Sequence, residues 1–121
     1  MKRPVHFEIL ADDPVKVGEF YSAVFDWEIN TWGEGEQTYW LVTTGPDDAP
    51  GINGGIMGRE FKQAVINTLE VESLEETTKK IEEAGGQIIL GPNEISGTGT
   101  HAYFADIEGN LFGVMQPYPA E

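Results

Sequence analysis

Residues 5–29 (VHFEILADDPVKVGEFYSAVFDWEI) align without a gap on residues 65–89 (VINTLEVESLEETTKKIEEAGGQII), an offset of 60 positions. Few letters are identical, but the physical signals come in the same order: an alternating strand, a helix-capping residue, an amphipathic helix and a second strand. A chain with this internal repeat is expected to build two copies of one supersecondary unit around a shared core, with a ligand site where the copies meet.

In the first copy, alternation over Val5–Leu10 puts His6, Glu8 and Leu10 on one strand face and Val5, Phe7 and Ile9 on the other. Asp12-Asp13-Pro14 reads as a helix start, an Asp cap followed by Pro at the first helical position. Val17, Phe20, Tyr21, Val24 and Phe25 then follow helical spacing and predict a wide apolar face. Strands are predicted over Trp27–Trp32, Thr38–Thr44 and Ile52–Gly58, with a turn at Gly33-Glu34-Gly35-Glu36 and a polar loop over Gly45–Gly51; Gly58–Gln63 links the halves.

The second copy repeats the plan. Ala64–Val71 is a strand, Ser73-Leu74-Glu75-Glu76 fits a capping box, and Gly85-Gly86 ends the helix by permitting a left-handed turn. Gln87–Leu90 is a strand, Gly91–Gly99 a Gly/Pro-rich loop, and Thr100–Ala105 with Leu111–Gln116 a hairpin turning at Asp106–Asn110. Each half is therefore β-α-β-β-β. The fold class is α+β with eight strands and two helices, in one domain over residues 1–121, module one covering about 4–58 and module two about 64–117.

Composition narrows the function. Seven Lys and Arg against 21 Asp and Glu leave a net charge of −14, and the close basic pairs are Lys2-Arg3 and Lys79-Lys80, so nucleic acid is not the expected partner. Such acidity favours solubility and attracts cationic ligands. No apolar run approaches the roughly 20 residues of a membrane span, and the N-terminus carries no signal-peptide core, so no membrane association is expected. With no cysteine there is no disulfide, thiolate metal site or cysteine nucleophile, and the cytoplasm is the expected compartment.

The spacing H-x6-D-x6-F-Y from His6 to Tyr21, with Asp106-x-Glu-Gly-Asn110 before the last strand, resembles the vicinal oxygen chelate superfamily. That superfamily includes glyoxalase I, extradiol dioxygenases, fosfomycin-resistance enzymes and bleomycin-binding proteins. Segments YWLVTTG (39–45) and GINGGIM (51–57) are similar to its bacterial glyoxalase-related branch. The resemblance implies two tandem βαβββ modules whose curved sheets form an eight-stranded cup. It implies a homodimer, and in the enzymes a divalent metal held by His, Gln or Glu from the first and last strand of each module. Such an ion leaves positions open for substrate oxygens and stabilises an enolate-like intermediate.

The repeat shows where those ligands should lie. His6 occupies the first-strand position and is the one candidate metal ligand; its counterpart 60 residues on is Ile66. Matching GGIM (54–57) to FGVM (112–115) makes Gly55 and Gly113 the last-strand positions. Three of the four positions thus carry no donor, so no cofactor is assigned from the residues, and a divalent metal stays a candidate by resemblance only. Glu8 lies roughly 7 Å from His6 along the same face, and Glu70 faces the cup if Ile66, Thr68 and Glu70 keep the alternation. A rebuilt His6/Glu8/Glu70/His101 site is the alternative.

Glu8 and Glu70 are the candidate catalytic groups, as general bases. His6, Tyr39, Asn53 and Tyr103 are the candidate ligand-binding residues. Trp27, Trp32 and Trp40 offer either an aromatic wall or core or dimer packing, and Met57 and Met115 a cup floor. Three functions follow. The first is a metal-dependent glyoxalase-like lyase, isomerase or dioxygenase acting on a small oxygenated substrate. The second is a bleomycin-resistance-like protein that binds a small cationic or aromatic molecule in the cup without a complete metal site. The third is a metal-free enzyme using Glu8 or Glu70 beside His6. The lost ligands and the acidity favour the second; whether the protein is an enzyme is left open by the sequence.

Overall fold

The computed structural model describes residues 2–33 and 38–119. Its elements are β1 (Pro4–Ala11), α1 (Pro14–Phe25), β2 (Glu28–Trp32), β3 (Tyr39–Thr43), β4 (Asn53–Gly58), β5 (Val65–Glu70), α2 (Leu74–Glu83), β6 (Gln87–Ile95), β7 (Gly99–Ala105) and β8 (Leu111–Pro117). This is the α+β arrangement of two βαβββ modules read from the repeat. The predicted turn at 33–36 falls mostly outside the described residues. The described chain divides into two compact units, one within residues 6–66 and one of residues 67–119 with residues 2–5.

In the first unit the strand order is β2-β3-β4-β1, with β1 parallel to β4 and the other pairs antiparallel. Asp13 caps α1 by accepting from the Lys16 N–H at 3.2 Å, Pro14 follows it, and Asp26 closes the helix in a left-handed conformation at φ 59°. One sheet face packs a core of Ala11, Val42 and Ile56 flanked by Phe7, Ile9, Val17, Trp27, Ile29 and Trp40. The wide apolar face predicted for α1 is only partly used. Val17, Gly18 and Tyr21 approach the sheet side, whereas Phe20, Val24 and Phe25 are exposed. Gly18 is the buried residue of α1, with Ile29 and Ile56 as its neighbours, and Tyr21 stacks nearly flat on Trp27 at 4.9 Å. Those two contacts turn the remaining aromatics outward.

In the second unit the order is β5-β8-β7-β6, with β5 parallel to β8 and the β8-β7-β6 pairs antiparallel. The Ser73 hydroxyl accepts from the Glu76 N–H at 3.2 Å, which is the serine half of the predicted capping box. The Gln116 side-chain oxygen accepts from the Leu74 N–H at 2.8 Å and ties the helix start to β8. Val71, Leu74, Ala102 and Val114, with Leu69 and Phe104, form the core beneath α2.

Strand β6 corrects a prediction. It continues through Gly91-Pro92 to Ile95, where a loop over Gly91–Gly99 was expected. The pairing with β7 shifts register between Ile88 and Leu90 and again between Leu90 and Asn93. Gly91 takes φ +94°, a left-handed value that favours glycine. A terminal strand of the module absorbs Pro and Gly as bulges, because one row of its backbone groups needs no partner in the ladder.

Candidate functional site

The packing of each helix on one sheet face determines where the chemistry can go. In module one Phe7, Ile9, Trp40, Val42 and Ile56 point to the α1 side. Alternation therefore sends His6 and Glu8 of β1, Tyr39 and Leu41 of β3, and Gly55 and Met57 of β4 to the helix-free face. The register agrees: Glu8 and Leu41 both stand opposite Gly55. Tyr39, two residues before Leu41, sits diagonally to that glycine.

Three of the predicted residues meet there. The Tyr39 hydroxyl donates to Glu8 Oε2 at 2.9 Å and lies 2.9 Å from His6 Nε2. A phenol has one proton. With that proton on the bond to Glu8, the oxygen accepts from His6, which places the imidazole hydrogen on Nε2. Glu8 is 7% exposed, so this chain of three groups reaches into the interior. Burial holds the His6 pKa below its ordinary 6.5, and the nearby Glu8 carboxylate only partly offsets that. His6 is therefore a neutral imidazole at neutral pH.

Gly55 is needed by this arrangement. A Cβ built on it would land on the Tyr39 hydroxyl and the ring atoms behind it. The phenol of β3 thus takes the space that a β4 side chain would fill.

Module two repeats the construction with different groups. Leu69, Ala102, Phe104 and Val114 pack beneath α2, so Thr68, Glu70, His101, Tyr103, Gly113 and Met115 fall on the opposite face. Thr68 and Tyr103 stand opposite Gly113, while Glu70 and His101 stand opposite Met115. A Cβ on Gly113 would come within 2.6 Å of His101 Nε2 and 2.7 Å of Thr68 Oγ1. His101 is accordingly the structural equivalent of Tyr39, and Thr68 of Glu8. The His101 ring meets Tyr103 edge-on at 4.5 Å. Thr68 is 2% exposed, and among the described residues its Oγ1 has no hydrogen-bond partner.

The other expected residues are placed as follows. Asn53 stands opposite His6 in the β1–β4 register. Its side-chain oxygen accepts from Thr44 N–H at 2.8 Å and from the Thr44 hydroxyl at 3.2 Å, which pins the β3–β4 connection. Glu70 lines a surface depression with Val71, Glu72, Gln116 and Pro117. The tryptophans do not form a wall. Trp27 and Trp40 are in the α1-side core, and Trp32, 53% exposed, pairs opposite Tyr39 on the helix-free side. Thr68 is the site residue missed from the sequence. The signal was present, because it lies 60 positions after Glu8.

Residues 3–114 match the family model of the Glyoxalase/Bleomycin resistance protein/Dioxygenase superfamily. The chain belongs to that superfamily. Among solved structures, a hypothetical protein from Bacillus halodurans C-125 superposes with a TM-score of 0.72 at 14% identity, covering 99% of this chain and 98% of that one. Methylmalonyl-CoA epimerase from Mycobacterium tuberculosis gives 0.70 at 12% identity over 96% and 88%. A Streptomyces coelicolor methylmalonyl-CoA epimerase variant in complex with 2-nitronate-propionyl-CoA gives 0.72 at 15% identity over 100% and 98%. At these identities the likeness establishes the fold alone. No curated protein sequence matches the chain.

Superfamily members often use a divalent metal, which needs several donors at one place. His6 and Glu8 are the charged or imidazole donors of the module-one site. Tyr39 between them donates its phenolic hydrogen to Glu8, and position 55 has no side chain. Position 113 has none either, and Ile66 is a buried hydrocarbon. Among the described residues no three His, Asp or Glu side chains come together in a way that could hold a metal ion. These residues do not fit the metal centre of the superfamily's enzymes.

Proposed function

We propose that this superfamily member binds a small molecule on the helix-free face around His6, Tyr39 and Glu8, without the superfamily's divalent metal. The observation that carries the reading is the Tyr39 hydroxyl, hydrogen-bonded to both His6 and Glu8 at 2.9 Å above a glycine. The site then offers a neutral imidazole, a phenol and a carboxylate, with the exposed indole of Trp32 beside Tyr39 in the strand pairing. An aromatic ligand with a cationic group matches that set: the rings offer stacking, and the acidic protein attracts positive charge. The CoA ester held by the S. coelicolor relative is a poorer match, because seven Lys and Arg in a chain of net charge −14 give phosphates little to bind. Homodimerisation is part of the proposal, and sedimentation at micromolar concentration checks it.

Protein purified without chelator should contain no stoichiometric metal. A panel of protonated aromatic amines, followed by Trp fluorescence and melting temperature, should yield at least one compound whose effect is lost in Tyr39→Phe and His6→Ala. Stoichiometric metal that disappears on His6→Ala would instead establish the metal-dependent lyase, isomerase or dioxygenase reading. If no compound in the panel moves either signal, the cationic aromatic assignment is wrong.

A further inference from the structure

The two glycines that replace family ligands share a physical feature. In each module a polar side chain from the neighbouring antiparallel strand, two residues away from the glycine's direct partner, extends over the glycine. Tyr39 does so at Gly55 and His101 at Gly113. A glycine that had merely lost a ligand would leave a gap above its Cα. Here the gap is filled twice, by residues related through the repeat.

We infer that Tyr39 is the residue that closes the module-one site to divalent cations. This deepens the metal-free reading of the site and rests on it. The Tyr39 oxygen lies 2.9 Å from both His6 Nε2 and Glu8 Oε2, so it takes up the same atom of each group that a shared cation would have to coordinate. It also engages both groups by hydrogen bonding, which a cation would have to displace. Its ring also covers Gly55, which bars a β4 carboxylate from the same place. Exclusion is thus steric at position 55 and by hydrogen bonding at His6 and Glu8. Module two differs where the hypothesis says it should matter. Thr68 stands in place of Glu8 and Ile66 in place of His6, so removing its covering residue, His101, exposes no comparable donor pair.

The test is titration with Co(II), read by its visible absorption and by paramagnetic broadening of the histidine ring signals. Wild type should show no saturable binding at millimolar metal. Tyr39→Ala should gain saturable binding, with a Kd at least about 10-fold below the highest Co(II) concentration at which wild type stays unsaturated, the low end of the range by which single groups around a metal change affinity. The gain should vanish in His6→Ala/Tyr39→Ala and be absent in His101→Ala. If Tyr39→Ala fails to fold, Tyr39→Leu decides, because it keeps an apolar side chain on β3 while removing the phenol oxygen from His6 and Glu8, and it should give the same gain. A folded Tyr39→Ala or Tyr39→Leu that binds no more Co(II) than wild type overturns the inference while leaving the metal-free reading intact. Stoichiometric Co(II) on wild type, lost in His6→Ala, overturns both.

Discussion

Replacing Tyr39 by Phe keeps the ring over Gly55 and deletes one oxygen, so it isolates what the hydroxyl contributes. That oxygen makes two part-buried hydrogen bonds of 2.9 Å, one to a carboxylate and one to an imidazole. A bond to a charged group contributes about 1.5–3 kcal/mol and a neutral one about 0.5–1.5 kcal/mol. Simple addition overstates the loss, because Glu8 has other interactions to fall back on. The expected loss is therefore near the lower bound, about 2 kcal/mol. For a chain of this size about 4 °C accompanies each kcal/mol, so the melting temperature should fall by about 8 °C. Urea unfolding followed by Trp fluorescence measures the loss, with calorimetry as the second probe. The double variant Glu8→Gln/Tyr39→Phe completes a cycle whose coupling should be about 1 kcal/mol or more. A loss below about 0.5 kcal/mol, or a coupling near zero, would mean that the hydroxyl does not hold this site together, and the reasoning about its role would fail.

Three further outcomes follow from the same geometry. The His6 pKa is lowered on folding, so the unfolded chain takes up its proton first: this contribution to stability is complete above the ordinary value of 6.5 and is lost as pH falls through the folded value. Comparing urea midpoints at about pH 7.5 and about pH 5 should show a smaller acid loss in His6→Gln than in wild type; an equal loss would count against the buried imidazole. In Glu8→Gln the one raising influence is gone, so the ring titration seen by NMR should move further down, and an upward move would contradict the assignment. Thr68→Val replaces a buried, unpartnered hydroxyl with a methyl group of similar size. Since such a hydroxyl costs about 1–3 kcal/mol, the variant should be as stable as wild type or more so, whereas a loss above about 1 kcal/mol would show that the hydroxyl has a structural partner.

Local signals along the chain were enough for the frame. The 60-residue repeat, the Asp13 and Ser73 caps and the period-two strands specify two βαβββ modules, because these depend on neighbours in sequence. The same alternation puts His6 and Glu8 on one face. Local signals misjudged β6, where pairing with β7 carries the strand through Gly91-Pro92. They also misjudged α1, where the stack of Tyr21 on Trp27 leaves Phe20, Val24 and Phe25 outside.

The sequence by itself determined which residues stand where the resemblance implies metal ligands, since Gly55, Ile66 and Gly113 are visible as letters beside His6. Only the tertiary structure decided what stands over Gly55. Tyr39 lies 33 residues from His6 and 31 from Glu8, and no periodicity links them. Antiparallel pairing sets β3 diagonally across β4, and a glycine without Cβ gives the phenol room. The glycine that reads as a missing ligand is, in the folded protein, the space that admits another residue's hydroxyl.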